Sequence, residues 1–324
     1  MKLRLIKLSG ALLFASSLAA ATWTENFSAN PLTNGWQIFG DTNLFTWNST
    51  NQNLAVTWDS SRSNSFFARP FDTILAKPDD FTFAFDLQLT DLAVGVATNK
   101  PNTFQIALGL VNLVNATNPA VWRGVGVNST HGARNTCEFD YFAPANAINA
   151  SFSPAILTTD NRIYTANDVG LYFSNGVTFH ITMNYTATNR TLTTIATRNG
   201  TNYGNIPNIL LPTDRDFRYD RFAIINWIDT GTTDSLLAHG FVDNVTVTTP
   251  PPAVQNFSVN ETNLTWQAQF TSRTNFIYTL ERTADFSLWI GASPTANGTG
   301  TNLFLTDTNA SSAKTFYRVR AERP

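Results

Sequence analysis

Segments in which apolar and polar residues alternate constrain the fold of this chain more than any other feature. Residues 81–89 read Phe-Thr-Phe-Ala-Phe-Asp-Leu-Gln-Leu, and residues 104–112 and 177–185 follow the same period of two. This period places successive side chains on opposite faces of a strand, whereas the apolar residues of a helix recur every three or four positions. Residues 188–190 predict a hairpin turn. We therefore predict an all-β protein without long helices.

The polar residues of the chain are mostly uncharged. Charged residues make up 14% of the chain, the formal net charge is -2, and Asn, Thr and Ser supply the remaining polarity. A chain without a basic excess has no electrostatic basis for binding nucleic acid. Cys137 is the only cysteine, so no disulfide can form within the chain, and we expect a buried, inert thiol.

The first 21 residues have the layout of a secretory signal peptide. Lys2, Arg4 and Lys7 precede a short apolar run at 8–18, and small residues follow it. The run is too short to span a membrane, and no later segment predicts a transmembrane helix. We predict cleavage after Ala21, bacterial export, and a secreted or cell-surface protein.

Consecutive prolines divide the mature chain. Residues 249–253, which include the prolines at 250–252, predict an extended linker. We predict a large β-sandwich at 22–248 and a small β-sandwich at 254–324, after a signal peptide at 1–21. Strands of the small module are predicted at 264–268, 277–282, 302–305 and 316–320. Its core is expected to contain its aromatic residues, which are Trp266, Tyr278, Phe286, Trp289 and Tyr317.

Two acids alternate with aromatic residues in the segment 135–142, which reads Asn-Thr-Cys-Glu-Phe-Asp-Tyr-Phe. Glu138 and Asp140 lie two residues apart on a predicted strand, so both side chains project from one face. Two such carboxylates repel each other unless a cation, a donor or a shared proton lies between them. A ligand site and a buried polar pair satisfied by protein donors both explain the pattern.

The Glu-Phe-Asp strand resembles that of the concanavalin A-like lectin and glucanase superfamily. The resemblance covers about 24–248 and implies a jelly roll of two antiparallel sheets. In the legume lectins such acids hold structural metal ions. In the laminarinase-like glycoside hydrolases a further Glu is the acid/base, and here Phe142 and Ala143 occupy its position. If the chain is an enzyme, the resemblance assigns catalysis to Glu138 and Asp140, but the missing acid favours binding without catalysis.

The ends of the large module resemble those of jelly-roll carbohydrate-binding modules. In those modules an early acid and an Asp in the last strand lie near a structural calcium ion, and here Glu25 and Asp243 match them. Calcium prefers six to eight oxygen ligands, which carboxylates and backbone carbonyls supply. The resemblance implies a calcium site at these two acids, and the polarity of edge strands explains them equally well.

Tryptophan side chains are candidates for contact with sugars, because sugar rings stack on exposed indole. Trp36 and Trp58 are the tryptophans expected to be partly exposed and, with Glu138 and Asp140, form the predicted ligand-binding set. The alternative for each indole is a structural role, because tryptophan in a β-sandwich more often fills the core. The segments 278–289 and 316–320 resemble a short fibronectin type III module of secreted bacterial proteins, which implies a spacer, display or sorting role.

These observations predict a secreted glycan-binding or surface-adhesion protein whose partner is a polysaccharide. The alternatives are a laminarinase-like glycoside hydrolase that uses Glu138 and a structural cell-envelope protein. A reducing-sugar assay beside a binding assay separates the three.

Overall fold

The structure, a computed structural model, describes residues 20–121, 132–145, 149–166, 169–262, 265–310 and 315–323. The predicted signal peptide lies outside these residues except for Ala20 and Ala21, and the first strand begins at Ala21. Within the described part of the chain, no helix is long and apolar enough to cross a membrane.

Strands joined by turns make up the described chain as far as Thr249. In chain order they are β1 (Ala21–Glu25), β2 (Gln37–Phe39), β3 (Phe45–Asn48), β4 (Asn53–Asp59), β5 (Ser65–Leu75), β6 (Phe81–Val94), β7 (Gln105–Val111), β8 (Thr136–Phe142), β9 (Ser151–Phe152), β10 (Ala155–Leu157), β11 (Ile163–Thr165), β12 (Thr178–Thr186), β13 (Thr191–Arg198), β14 (Thr201–Asn202), β15 (Ile209–Leu210), β16 (Tyr219–Asn226) and β17 (Leu236–Thr249). Short helical turns occur at Pro31–Thr33, Thr42–Leu44 and α1 (Leu113–Ala116). The prediction of an all-β protein is confirmed.

The seventeen strands form two large antiparallel sheets. The first sheet has the order β14-β13-β12-β6-β17-β4-β3, with β1 paired to β17 and β15 to β13. The second has the order β11-β10-β8-β7-β16-β5-β2, with β9 paired to β8. The hairpin predicted at 188–190 joins β12 to β13, which pair along their length. The predicted large antiparallel sandwich is confirmed.

Aromatic residues from the two sheets meet in one core. Phe83 and Phe85 of β6 are buried, and the residues that alternate with them are more exposed. The ring centroid of Phe85 lies 5.5 Å from that of Phe139 in β8, and the Phe83 centroid lies 5.9 Å from that of Phe222 in β16. The period of two therefore places one face of β6 against the second sheet.

The centre of the second sheet is buried on both faces. Every residue of β7 is buried, and so is every residue of β8 except Phe142. Burial on both faces suits the apolar composition of β7, which has small and branched residues on either side. It also means that Glu138 and Asp140, on the face of β8 opposite Phe139, do not face open solvent.

Beyond the predicted linker the chain forms two smaller sheets. Their strands are β18 (Val254–Thr262), β19 (Thr265–Ser272), β20 (Ile277–Thr283), β21 (Ile290–Gly291), β22 (Ala296–Asn297), β23 (Asn302–Asp307) and β24 (Phe316–Glu322). One sheet has the order β18-β19-β23, and the other has the order β21-β20-β22 with β24 paired to β20. The four strands predicted in this module correspond to β19, β20, β23 and β24.

The core of the small module differs from the predicted one. It contains Ala253, Ala268, Phe270, Phe276, Tyr278, Leu280 and Leu305, with Trp266 and Tyr317 packed against it. The prediction that Phe286 and Trp289 belong to this core is wrong, because both lie in the exposed connection between β20 and β21. Phe286 is 59% exposed, and Trp289 is partly exposed.

Candidate functional site

Glu138 and Asp140 lie in β8, near the middle of the second sheet. Glu138 is opposite Gly109 of β7 on one side and Ala155 of β10 on the other. The two acids are 0% and 3% exposed, so both lie beneath the protein surface. Their assignment to ligand binding, or to catalysis in an enzyme, stays a prediction.

Gly109 allows β7 to approach the backbone of β8 closely. A Cβ atom at position 109 would lie 2.0 Å from the carbonyl oxygen of Cys137 and 3.0 Å from the Cα atom of Glu138. Contacts this short cannot form without moving a strand, so only glycine suits the position. A glycine within an apolar strand is the sequence signal of such a close backbone approach, and Gly109 carries that signal although it is not among the predicted site residues.

Cys137 is buried, as predicted. Burial raises the pKa of its thiol well above the ordinary value, and the charges of Glu138 and Asp140 raise that pKa further. The thiol is therefore protonated at neutral pH and is a poor nucleophile.

Trp227 connects Glu138 to the wall of a groove. Its indole Nε1 donates a hydrogen bond to Oε1 of Glu138 over 3.1 Å. The indole also meets the ring of Phe66 edge to face, with 5.3 Å between the centroids. A hydrogen bond to a carboxylate is stronger than one between neutral groups. Glu138 is therefore hydrogen-bonded to the indole that packs against Phe66.

Phe66 lines a groove with a volume of about 680 Å³, which we name the Phe39 groove. The described residues that line it are Ile38, Phe39, Gly40, Ser63, Asn64, Phe66, Ala116, Thr117, Asn118, Pro119, Val121, Ile228 and Thr230. Sites for small ligands have volumes of about 300–1,000 Å³ and combine apolar walls with a few polar groups. The Phe39 groove has both properties.

Asn64 holds the walls of the Phe39 groove together. Its Nδ2 donates to the carbonyl oxygen of Val121, and its Oδ1 accepts from the backbone N–H of Ile228, both over 2.9 Å. The ring of Phe39 is partly exposed, with the guanidinium carbon of Arg221 at 5.6 Å from its centroid. No pattern in the sequence indicates this groove, because its walls come from segments far apart in the chain.

The expected exposure of Trp36 and Trp58 is wrong. Their exposed fractions are 2% and 1%. Trp36 stacks on Phe67 of β5 with 4.8 Å between ring centroids, and Trp58 lies on the inward face of β4. Large apolar rings stabilise a sandwich most when its core covers them. Neither indole offers a face to a sugar ring.

Glu25 is buried among hydrogen-bond donors. Its Oε1 accepts from the backbone N–H of Phe27 over 2.9 Å. Its Oε2 accepts from Nδ2 of Asn34 over 3.1 Å and from Nε1 of Trp36 over 3.0 Å. The guanidinium of Arg69 lies 3.9 Å from the same oxygen. Glu25 therefore links Phe27, Asn34 and Trp36 by hydrogen bonds near the start of the large module.

The residues implied to bind calcium do not fit that ion. Donor hydrogens point at the oxygens of Glu25, and Oδ1 of Asp243 accepts from the backbone N–H of Asn244 over 2.7 Å. Burial raises the pKa of Asp243, and the charges of Asp86 and Glu25 raise it too. In the part of the chain that the structure describes, no three or more His, Cys, Asp or Glu side chains are placed to hold a metal ion.

Two histidines pair with aspartates on the outer face of the first sheet. His180 Nδ1 lies 2.7 Å from Oδ1 of Asp86, and His239 Nδ1 lies 2.7 Å from Oδ1 of Asp91. Thr182 Oγ1 lies 3.3 Å from Nε2 of His180. Thr182, His180 and Asp86 therefore follow one another in the order of the nucleophile, base and acid of a catalytic triad. The backbone of β12 pairs with β6 and with β13, so its N–H groups are not offered to an oxyanion. This arrangement is a surface hydrogen-bond network.

Comparison with known proteins shows likeness in structure only. No family model matches the chain, and no curated protein matches it. A peanut lectin solved with a nonapeptide is 16% identical, with 70% of this chain and 98% of that chain covered and a TM-score of 0.40. Lectin I of Ulex europaeus, solved with a methyl fucoside, is 12% identical, with 71% and 98% covered and a TM-score of 0.45. An alginate lyase variant solved with an alginate trisaccharide is 13% identical, with 71% and 98% covered and a TM-score of 0.39. At such identities the likeness concerns the fold alone.

Proposed function

We propose that this chain is a glycan-binding protein and that the Phe39 groove is its binding site. The observation that carries the proposal is the lining of the groove, where aromatic and aliphatic walls meet exposed amide and hydroxyl groups. A sugar ring has apolar C–H faces and a rim of hydroxyl groups. A site that stacks the first and hydrogen-bonds the second matches this chemistry.

The residues of the groove divide between these two tasks. The partly exposed ring of Phe39 supplies the stacking surface, and Asn118, Ser63 and Thr230 supply exposed hydrogen-bonding groups around it. Asn64 and the Glu138–Trp227 pair act from behind, because they hold the walls and Phe66 in place. Glu138 is thus a positioning residue in this proposal and transfers no proton.

We also propose that the protein reaches the cell exterior through the signal peptide at 1–21, where polysaccharides are available as partners. Amino-terminal sequencing of the exported protein tests this separately. Cleavage near Ala21 supports export, and an intact leader on cell-associated protein contradicts it.

Isothermal titration against a panel of neutral and acidic polysaccharides tests the binding proposal. We expect saturable binding to at least one polymer, and we expect Phe39→Ala to weaken it about tenfold or more. Leu210→Ala is the matched control, because Leu210 is 61% exposed on β15 and lies outside the groove. Equal affinities of wild type and Phe39→Ala would contradict the site.

A reducing-sugar assay on the same polymers separates binding from hydrolysis. Binding without sugar release supports the proposal. Sugar release that is lost in Glu138→Gln would favour the glycoside hydrolase instead. If the protein neither binds a polymer nor releases sugar, the remaining alternative is the structural cell-envelope protein.

A further inference from the structure

Aromatic side chains that the core of the small module does not use form a cluster on its surface. The ring centroids of Phe286 and Phe316 lie 4.0 Å apart, and those of Phe286 and Trp289 lie 6.1 Å apart. Leu288, between Phe286 and Trp289 in sequence, is 70% exposed. We name Phe286, Trp289 and Phe316 the Trp289 platform.

A buried acid supports this platform from below. Glu281 of β20 is buried, and its Oε2 accepts from Nε and Nη2 of Arg318, each at 2.7 Å. The guanidinium carbon of Arg318 in turn lies 4.1 Å from the ring centroid of Trp289. A guanidinium held by two bonds to a carboxylate is a rigid base for an aromatic ring. The guanidinium therefore packs against one face of the indole, which is partly exposed.

The backbone at Phe286 is strained. Its φ angle is +63°, in the left-handed region that bulky residues rarely adopt. Glycine or asparagine suits such a position better, yet here an aromatic ring occupies it and is exposed. A strained backbone that presents a largely exposed apolar ring favours a binding role, because most of the ring surface stays in contact with solvent in the free protein.

The charges around the platform leave one acid over, because Asp285 is exposed directly before Phe286. Arg320 lies 3.1 Å from the second oxygen of Glu281 and 3.3 Å from a carboxylate oxygen of Glu322, so two arginines face two glutamates. The remaining negative charge of Asp285 disfavours an acidic partner. Exposed aromatic rings beside carboxylate and guanidinium groups match the C–H faces and hydroxyls of an uncharged sugar chain.

We infer that the Trp289 platform is a glycan-binding site of the small module and takes neutral polysaccharides. It is separate from the Phe39 groove, which lies in the large sandwich. Two sites on one chain increase the apparent affinity for a long polymer that reaches both of them.

Native electrophoresis of the full chain in gels that contain laminarin, xylan, galactomannan or hydroxyethyl cellulose tests this inference. We expect at least one of these polymers to retard the protein, and we expect Trp289→Ala and Phe286→Gly each to weaken retardation about tenfold. Phe304→Ala is the matched control, because Phe304 is 51% exposed on β23, in the other sheet of the module. It should migrate as the wild type does.

Phe286→Gly also separates binding from folding. Glycine relieves the positive φ angle but loses the ring contact with Phe316, so the thermal midpoint of this variant should stay close to that of the wild type while retardation falls. Retardation by none of the four polymers would overturn the inference, and so would unchanged retardation of both platform variants. A dimer in light scattering that Trp289→Ala abolishes would overturn it as well, because a second copy would then cover the platform.

The groove variant Phe39→Ala in the same gels keeps the two sites distinguishable. If Phe39→Ala loses retardation and the platform variants keep it, the Phe39 groove accounts for the binding and the inference is overturned. Loss in the platform variants alone would support the inference and contradict the role of the groove.

Discussion

The Asp79 carboxylate joins the two modules, with its Oδ1 at 2.7 Å from Nη2 of Arg273. Its other oxygen contacts the guanidinium of Arg323, near the end of the chain. The guanidinium carbons of Arg273 and Arg323 lie 5.2 and 4.5 Å from the ring centroid of Phe276. All three ionic side chains are largely buried, with exposed fractions of 4%, 11% and 5% for Asp79, Arg273 and Arg323. Solvent screens buried pairs little, so these contacts hold the small module against the large one.

Asp79→Ala should therefore destabilise the protein by about 3–5 kcal/mol, because it leaves two buried guanidinium groups without their acid. Urea unfolding measures this loss, and small-angle scattering should show a larger radius of gyration where the modules separate. Arg62→Gln is the control. The side chain of Arg62 is 60% exposed at 3.5 Å from Asp59, and such pairs contribute less than about 1 kcal/mol. Equal effects of the two substitutions would contradict the role of Asp79.

Gly109→Ala should prevent folding or destabilise the protein by several kcal/mol, roughly 3 or more, because its methyl group collides with the backbone of β8. The added Cβ would lie 2.0 Å from the Cys137 carbonyl oxygen. Gly170→Ala is the matched control, since a Cβ there meets no atom of the described residues within 4 Å. Soluble yield and urea midpoints of the two variants measure the difference. A stable Gly109→Ala protein would show that β7 and β8 are farther apart.

Glu138→Ala should cost more stability than Glu138→Gln. The alanine removes the acceptor of the Trp227 indole N–H, and an unsatisfied buried donor costs about 1–3 kcal/mol. The glutamine keeps an oxygen that can accept from that N–H. Urea titrations followed by tryptophan fluorescence measure both losses. Equal losses would show that the hydrogen bond to Trp227 contributes little.

Asp243→Asn should stabilise the protein at neutral pH by up to about 1 kcal/mol. Burial raises the folded-state pKa of Asp243, and the charges of Asp86 and Glu25 raise it further, so its ionised form destabilises the folded state. The gain is present above the folded-state pKa. It vanishes as the pH falls below the ordinary value of 3.8, where the wild-type carboxyl is neutral in both states. Denaturant unfolding across this pH range tests the sign.

The same variant tests the calcium interpretation. An ion shared by Glu25 and Asp243 would make Asp243→Asn destabilising, and calcium at a hundredfold excess over its dissociation constant would add about 2.7 kcal/mol to the wild type. We expect the thermal midpoint to be the same with excess calcium and with a chelator. A rise that depends on Asp243 would contradict this expectation.

The sequence predicted well those features that depend on neighbouring residues. Alternation in β6 and β12 identifies both strands and their buried faces, and the turn at 188–190 is visible in three residues. The pairing of the acids on one face of β8 follows from the same geometry. Each of these properties is a local consequence of backbone conformation.

Whether a face is covered was decided by the tertiary structure. The sequence predicts partial exposure for Trp36, which lies in the core, and a core position for Phe286, which is exposed. Glu138 and its donor Trp227 are 89 residues apart, and Asp79 and Arg273 are 194 residues apart. Composition and alternation therefore determined that this chain forms strands with one apolar face and one more polar face. Only the packing of distant segments decided which faces became core, groove or exposed platform, because burial depends on what lies opposite a side chain and not on its neighbours in sequence.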